Sequence, residues 1–251
     1  MNKTKKDIVK KNKTIKIILF TFFLILFIVS SLKIINYLKD NSNNRKIQNN
    51  TTKSIKKVKI DKDIKYDIDF KTLKKKNPDT IAYLKVNGTN IDYVVVKGND
   101  NNYYLNHNFN KETNISGWIF SDYRNKFDGS DKNIIIYGHN TYDGSMFGTL
   151  RNILDNEWKS NKENLKITLV TEKDTYYYEV FSTYIIDPEE YYINTTFNTD
   201  NEFNKFIKTI KARSNYDYNI DLNVSDTILT LSSCSSLDGS KRIVLHAKLI
   251  K

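Results

Sequence analysis

Eight short runs rich in Ile, Val, Thr and Tyr, all between residues 81 and 250, limit what this chain can fold into. Turn residues such as Asn-Gly and Asp-Gly-Ser separate the runs, a pattern typical of short strands. The runs are IAYLKV (81–86), IDYVVVK (91–97), GWIFSDY (117–123), KNIIIYGH (132–139), LKITLVT (165–171), TYYYEVFSTYII (175–186), DTILTLSS (226–233) and KRIVLHAKLI (241–250). They predict a mainly β fold, a barrel or closed sheet of eight strands.

Three other segments have helical spacing and predict helical decorations on this sheet. DFKTLKKKNPD places Phe70 and Leu73 on one face before a break at Asn77-Pro78, which predicts a short N-terminal helix. SMFGTLRNIL (145–154) follows the fourth strand. DNEFNKFIKTIKARS (200–214) lies between the sixth and seventh strands, and its apolar residues recur at steps of three and four.

The N-terminus combines a basic segment with an apolar one. Residues 1–16 contain seven lysines and one aspartate, and residues 17–32 carry no charge. Sixteen helical residues span roughly 24 Å, and Ile34 and Ile35 lengthen the apolar stretch toward the ~30 Å of a hydrocarbon core. A cleaved signal peptide is the alternative, with Val29-Ser30-Ser31 as its only weak cleavage site. Whether the apolar segment is an anchor or a signal peptide, the lysines are expected to stay in the cytoplasm and the rest of the chain to lie outside.

These features divide the chain into four parts. We predict a cytoplasmic basic N-terminus (1–16), a single transmembrane anchor (17–37), an extracellular linker (38–65) and a folded domain (66–251). The linker assignment depends on the polar, Asn- and Lys-rich composition of its sequence, which lacks sustained apolar periodicity.

The charge distribution argues against a nucleic-acid partner. The formal net charge is +11, but residues 1–60 hold 15 Lys and Arg against 2 Asp and Glu. The rest of the chain therefore carries 25 basic and 27 acidic residues. A nearly neutral domain lacks the positive surface that phosphate backbones require.

Cys234, the only cysteine, ends the apolar run ILTLSSC. A single cysteine in an extracellular domain cannot close an intramolecular disulfide. It is then a buried inert residue, one half of an intermolecular disulfide, or a reactive thiol. A reactive thiol needs a neighbour that favours the thiolate.

One histidine and one arginine are placed to assist such a thiol. His139 ends the run IIIYGHN at the start of a polar turn, whereas His107 and His246 are predicted to be structural. Arg242 opens the strand after the cysteine and is one of five arginines against 35 lysines. Its guanidinium is either a surface ion pair or a group that holds a carbonyl or developing oxyanion.

These residues resemble a known family. YGHN around His139, the T-L-S-x-C run ending at Cys234, and Arg242 are similar to the His, Cys and Arg of sortases, the membrane-anchored cysteine transpeptidases of Gram-positive cell surfaces. The stretches NPDTIAYLKVNGTNIDYVVVKGNDNNYYLNHNF, WIFSDYRN and IIYGHNTYDGSMFGTL resemble class B sortases in order and spacing, as does the helix between strands 6 and 7. The resemblance covers about residues 66–250 and implies an eight-stranded sortase-type β-barrel.

The family's chemistry is what this resemblance implies. The Cys234 thiolate would attack the threonine carbonyl of a C-terminal sorting signal on a secreted protein, and a peptidoglycan cross-bridge amine would resolve the thioacyl enzyme. His139 would act as acid and base, and Arg242 would stabilise the oxyanion. No metal or cofactor is implied. Matching positions place substrate contacts at Ser232, Tyr192, Ile193, Asn101 and Leu105, and class B relatives prefer signals such as NPQTN.

Two departures and two alternatives accompany the resemblance. Ser233 replaces the threonine common before the cysteine, and the SSLDGSK connection is shorter than in some relatives, which bears on substrate preference. A secreted papain-like peptidase, acting only as a hydrolase, places its Cys before its His, the reverse of the order here. A noncatalytic surface β-domain would need neither His139 nor Arg242.

Overall fold

The structure is a computed structural model that describes residues 3–60, 63–233 and 240–250. The chain divides into two compact units, one ending at Ser42 and the other beginning at Asn43. Helix α1 (Lys3–Thr52) supplies the described part of the first unit. Within the described residues, one helical stretch, Lys13–Thr52, is long and apolar enough to cross a membrane. Its large apolar side chains are exposed, Phe20 by 67% and Phe27 by 70%.

The segment 38–65, expected from its composition to be a linker, contains regular structure. Helix α1 runs to Thr52, and strands β1 (Ile55–Ile60) and β2 (Asp63–Ile68) then form an antiparallel pair. Within the second unit, Ile47 is buried and Asn44 donates to the Gly117 carbonyl over 3.1 Å. Gln48 Nε2 also donates to the Asp92 carbonyl over 3.1 Å. Most of these contacts are polar, so they leave no apolar periodicity in the sequence. The domain boundaries themselves stay predictions.

Helix α2 (Phe70–Lys76) is the predicted N-terminal helix. The Asp69 side chain caps it by accepting from the Thr72 N–H over 2.9 Å, and it ends at Asn77, before Pro78. Phe70 and Leu73 are its buried residues.

Eight strands close into a barrel in the second unit, which confirms the predicted fold. They are β3 (Thr80–Val86), β4 (Asp92–Val96), β5 (Phe120–Ser121), β6 (Asn133–Gly138), β7 (Lys166–Thr171), β8 (Thr175–Ile186), β9 (Ile228–Ser233) and β10 (Arg242–Leu249). Their order around the barrel is β10-β8-β7-β3-β4-β5-β6-β9. The β4–β5 and β6–β9 pairs are parallel, and the others are antiparallel.

The strands β6 and β9 are buried along their whole length, because both of their faces are covered. Helix α4 (Asp200–Ala212) lies between β8 and β9 in the chain and is the predicted helical insert. Its apolar face packs on residues of β8, β9 and β10. The helix residues in this contact are Phe203, Phe206, Ile207 and Ile210. This packing fixes the strands whose ends carry the candidate catalytic residues.

The predicted helix 145–154 is instead a 3₁₀ helix over Gly148–Leu154, followed by the short helix α3 (Asn156–Ser160). Met146 has a positive φ of 49°, so the chain cannot enter a regular helix there. Gly148 permits the close approach of the Thr141 carbonyl, which a Cβ at that position would meet. The local backbone therefore overrides the apolar spacing.

Candidate active site

Two neighbouring parallel strands end side by side at one end of the barrel. Gly138, the last residue of β6, is the register partner of Ser233, the last residue of β9. The next residues in the sequence are His139 and Cys234. Cys234 lies in the segment 234–239, outside the described residues, so its side chain is not part of the geometry below. The fold brings to one place the strand ends that precede the two candidate catalytic residues.

His139 is half-buried where β6 ends. Its Nε2 lies 2.9 Å from the Leu105 carbonyl oxygen, which only accepts, so Nε2 carries a proton and donates it. Burial lowers the pKa of His139, the Leu105 hydrogen bond opposes this, and the positive charge of Arg242 lowers it further. The ring is therefore biased toward its neutral form, with Nδ1 as its basic nitrogen.

Arg242 is the first residue of β10 and pairs across the sheet with Ile186 of β8. Ser233 anchors the start of β10, because its Oγ accepts the Ile243 N–H over 2.9 Å. The Arg242 Nη1 is buried and has no hydrogen-bond partner among the described residues. A buried guanidinium nitrogen without a partner is costly, and binding an anionic or carbonyl oxygen would satisfy it.

A groove of about 320 Å³ opens beside Arg242. Its lining comes from barrel strands, from the connection between β4 and β5 and from the loop after β8. The lining residues are Asn101, Leu105, Phe120, Tyr137, Pro188, Glu189, Glu190, Tyr192, Ile193, Ser232, Ser233 and Arg242. All five residues expected from the sequence to contact substrate are among them. The structure thus brings Asn101, Leu105, Tyr192, Ile193 and Ser232 together around one cavity.

A buried carboxylate organises one wall of this groove. Asp122 is fully buried and accepts from Arg124 Nε over 2.8 Å, from Tyr137 Oη over 2.9 Å and from Asn101 Nδ2 over 2.9 Å. Burial alone would raise the pKa of Asp122, but the hydrogen bonds from Arg124 and Tyr137 hold it below its ordinary value. Burial beside this carboxylate raises the pKa of Tyr137, which stays a donor.

The opposite wall is the 3₁₀ turn Tyr191–Ile193, held by contacts from the barrel. The Tyr192 hydroxyl lies 3.0 Å from Ser232 Oγ, which joins two residues that the sequence singles out separately. Arg124 Nη2 donates to the Ile193 carbonyl over 2.9 Å. The turn is therefore hydrogen-bonded to β9 through Ser232 and linked to Asp122 through Arg124.

The other two histidines lie apart from the groove lining. His107 is half-buried, stacks on the Tyr103 ring at 4.0 Å, and has Nδ1 2.8 Å from the Tyr103 carbonyl oxygen. His246 is completely buried in β10. Neither residue is among those that line the groove, in keeping with the structural roles expected of both.

Sequence reasoning missed Asp122, Arg124 and Tyr137. One signal was present: Arg124 is one of five arginines and stands two residues after an acid, in the stretch WIFSDYRN. The partners of Asp122 could not be read from the sequence, because Asn101 and Tyr137 lie 21 and 15 residues away along the chain.

The arrangement suits attack on a carbonyl. The groove is lined by Arg242, whose Nη1 has no partner among the described residues, and by Leu105, whose carbonyl accepts from the His139 ring. A guanidinium can stabilise an oxyanion, and a neutral imidazole can exchange a proton. Among the described residues, no group of three or more His, Cys, Asp or Glu side chains could hold a metal ion.

The sortase-domain family model matches residues 84–250, which covers the barrel from β3 to β10 and the whole groove. The chain belongs to the sortase family. Sortase B of Listeria monocytogenes serovar 1/2a is 34% identical over 230 residues, 89% of this chain and 92% of that protein. Sortase B of Staphylococcus aureus strain NCTC 8325 is 36% identical over 185 residues, 72% of this chain and 75% of that protein.

Solved sortase B structures share this fold. The crystal structure of sortase B from B. anthracis in complex with AAEK1 has a TM-score of 0.74 at 34% identity, covering 85% of this chain and 99% of that chain. Sortase B of Clostridium perfringens has a TM-score of 0.68 at 39% identity, covering 72% of this chain and 100% of that chain. The protein is a class B sortase, and its activity is that of a cysteine transpeptidase.

Proposed function

We propose that this sortase cleaves an NPxTx-type C-terminal sorting signal of secreted proteins after its threonine and joins the new acyl group to a cell-wall amine. Arg242 carries the proposal: it lines a groove that also gathers the five expected substrate contacts, and its Nη1 lacks a partner among the described residues. An incoming threonine carbonyl would supply that partner.

The proposed reaction has two acyl transfers. The Cys234 thiolate attacks the threonine carbonyl carbon, and Arg242 stabilises the negative charge on the oxygen. That thiolate forms when the neutral His139 ring takes the proton of the Cys234 thiol. As the C–N bond breaks, His139 passes this proton to the leaving amine, and a thioester to Cys234 remains. An amine attacks this thioester, His139 takes its proton, and the C–S bond breaks to restore the thiolate.

Solved relatives support both halves of this scheme. A Staphylococcus aureus sortase B–substrate complex is similar to this chain with a TM-score of 0.68 at 34% identity, covering 72% of this chain. A sortase B complexed with a glycine tripeptide is similar to the same degree. By analogy, this chain would take a sorting signal in the groove and a peptide amine as the second substrate.

Residues 17–37 would hold the enzyme in the cell membrane as a single span. The seven lysines before them favour a cytoplasmic N-terminus, which would place the barrel outside the cell, where secreted substrates and cell-wall amines meet.

The test is incubation of the full chain, purified in detergent, with peptides carrying different sorting signals, with and without triglycine. Cleavage after threonine together with an amine-dependent ligation product supports the proposal. Equal cleavage with no ligation product at any amine concentration would leave a hydrolase in its place. The C234A variant is the control for contaminating peptidases.

A further inference from the structure

A second buried polar network lies behind the groove. None of its residues has a role in the proposed acyl transfers. At its centre is His246, surrounded by the rings of Phe181, Tyr184 and Tyr192. Burial lowers the pKa of His246 to about 3, so the ring is neutral at ordinary pH. A neutral imidazole has one donor and one acceptor nitrogen, and both have partners here.

The donor and the acceptor of each hydrogen bond in this network can be assigned by starting from the Asn133 side-chain amide. Asn133 Nδ2 lies 2.9 Å from the Asn194 carbonyl oxygen and 3.3 Å from that of Tyr192, so the amide nitrogen donates to this loop. Asn133 Oδ1 must then accept, and it lies 2.6 Å from Thr230 Oγ1. Thr230 therefore gives its only hydroxyl proton to Asn133.

The same reasoning sets the tautomer of the histidine. Because the Thr230 proton points to Asn133, Thr230 Oγ1 accepts from His246 Nδ1 over 2.8 Å. His246 Nε2 is then the acceptor, and the Tyr184 hydroxyl donates to it over 2.8 Å. Tyr184 Oη in turn accepts from the Tyr191 hydroxyl over 3.1 Å. A single chain of hydrogen bonds thus begins and ends on the same loop.

We define this loop, residues 191–194, as the recognition loop, because two of its members line the groove. Its Tyr192 and Asn194 carbonyls accept from one amide, and its Tyr191 hydroxyl donates into the other end of the chain. We propose that Thr230, His246 and Asn133 are positioning residues that hold the recognition loop in the conformation that binds the sorting signal. The proposal rests on the proposed function of the groove.

Removal of the Thr230 hydroxyl would break the chain at its middle. Asn133 Oδ1 would lose its donor, and its side-chain amide could then rotate and turn its oxygen toward the loop carbonyls. The buried His246 Nδ1–H would also lose its acceptor. Because valine has nearly the volume of threonine but no hydroxyl, the T230V variant removes the hydrogen bonds of this side chain with little change in its size. The T230S variant keeps the hydroxyl and is the conservative rescue.

T183V is the matched control. Thr183 is also fully buried in a barrel strand, and its hydroxyl lies 2.7 Å from the Tyr218 hydroxyl and 3.2 Å from Asn215 Oδ1. Neither partner lines the groove. The variant therefore removes the same group from a comparable buried site whose hydrogen bonds do not lead to the recognition loop.

The experiment measures kcat and KM for an NPxTx peptide, together with hydrogen exchange of the Ile193 amide, which donates to the Glu190 carbonyl in the native loop. We expect T230V to raise KM about tenfold with a smaller change in kcat and to speed Ile193 exchange. T230S and T183V should keep the wild-type KM and the wild-type exchange rate. The H246L variant removes the donor of the His246–Thr230 hydrogen bond. It takes the place of T230V if T230V does not fold.

Two results would overturn the proposal: T230V with wild-type KM and exchange, or T183V with the same changes as T230V. Failure of the proposed function has a different signature, because wild-type protein would then either not cleave the NPxTx peptide or form no ligation product with the amine. The exchange rate of Ile193 would still decide whether Thr230 positions the loop.

Discussion

Arg124 bridges Asp122 and Ile193: its Nη2 lies 2.7 Å from the Asp122 carboxylate and 2.9 Å from the Ile193 carbonyl oxygen. The fixed fork of the guanidinium is what allows one side chain to hold a buried acid and a loop backbone together. Arg124 Nε also donates to the other Asp122 oxygen over 2.8 Å. Lysine has the charge but a single nitrogen, so it cannot hold both carboxylate oxygens and the Ile193 carbonyl with this geometry.

We therefore expect R124K to raise KM for a sorting-signal peptide about tenfold, an effect of roughly 1.4 kcal/mol, with less change in kcat. Steady-state kinetics on the purified full chain would measure it. R45K is the control, because Arg45 pairs with Asp143 at an exposed position. Wild-type KM in R124K would show that the bridge does not shape the groove.

The proposed catalytic residues give the largest expected effects. C234A should abolish cleavage, and H139A and R242A should each lower kcat/KM at least about a hundredfold, a typical cost of losing an acid/base or oxyanion group. H107A should keep wild-type activity, since His107 stacks on Tyr103 and does not line the groove. Circular dichroism would verify that each variant folds. Ordinary turnover by C234A would refute the assignment of the nucleophile.

Stability should depend on pH through His246, whose pKa is lowered to about 3 in the folded protein. The unfolded chain binds a proton at this residue below pH ~6.5, and the folded chain does not until pH ~3, so stability falls as the pH falls through this window. Between pH 7 and pH 5 the contribution of His246 amounts to about 2 kcal/mol.

Urea unfolding of wild type and H246Q at both pH values would measure this contribution. We expect H246Q to lose less of its unfolding free energy on going to pH 5, by about 2 kcal/mol, whatever its stability at pH 7. H107Q should show the wild-type loss. Equal losses in wild type and H246Q would mean that the folded protein accommodates a charged His246.

The signal itself can be tested by competition between peptide classes. An asparagine at the first position needs polar partners, whereas a leucine needs an apolar pocket, and unpaired polar groups in the site would penalise leucine. We expect kcat/KM for NPxTx peptides to exceed that for LPxTG peptides at least about tenfold, roughly 1.4 kcal/mol. Equal or faster cleavage of LPxTG would reject this preference and leave the roles of Cys234, His139 and Arg242 untouched.

The membrane orientation predicts which part of the chain a protease can reach. Protease added to intact, wall-stripped cells should remove the barrel, residues 66–251, and leave an epitope tag at the N-terminus intact until the cells are lysed. Protection of the barrel in intact cells would contradict the orientation. Release of the barrel in soluble form without protease would instead favour the cleaved signal peptide.

Structural features set by residues close together in the sequence could be predicted. Features set by contacts between residues far apart in the sequence could not. The eight barrel strands could be predicted because β-branched runs are local, and His139 and Arg242 were found because each stands at a strand end. The strand predicted over 117–123 is shorter in the structure and covers only Phe120–Ser121. These are the two residues of the run that pair with β4 or β6.

The polar networks behind the groove were not predictable from one sequence. Asn133 contacts the Asn194 carbonyl 61 residues away, and the His246 bond to Tyr184 spans 62. Apolar periodicity indicates which face of a strand is buried, but not which buried polar groups meet. For the same reason the burial of His246 in the last strand was predictable, whereas its hydrogen-bond partners were not.

The parallel pairing of β6 with β9 also has a consequence for how the enzyme becomes active. The Asn133–Thr230 bond at this seam joins residues 97 positions apart, so forming the seam requires the closure of a long loop, which costs conformational entropy. Strand pairing over such a separation is slow and comes late in folding. The ends of β6 and β9, which lead into His139 and Cys234, then meet only as the barrel closes. A newly exported chain would carry no assembled catalytic centre until that moment, a delay set by topology alone.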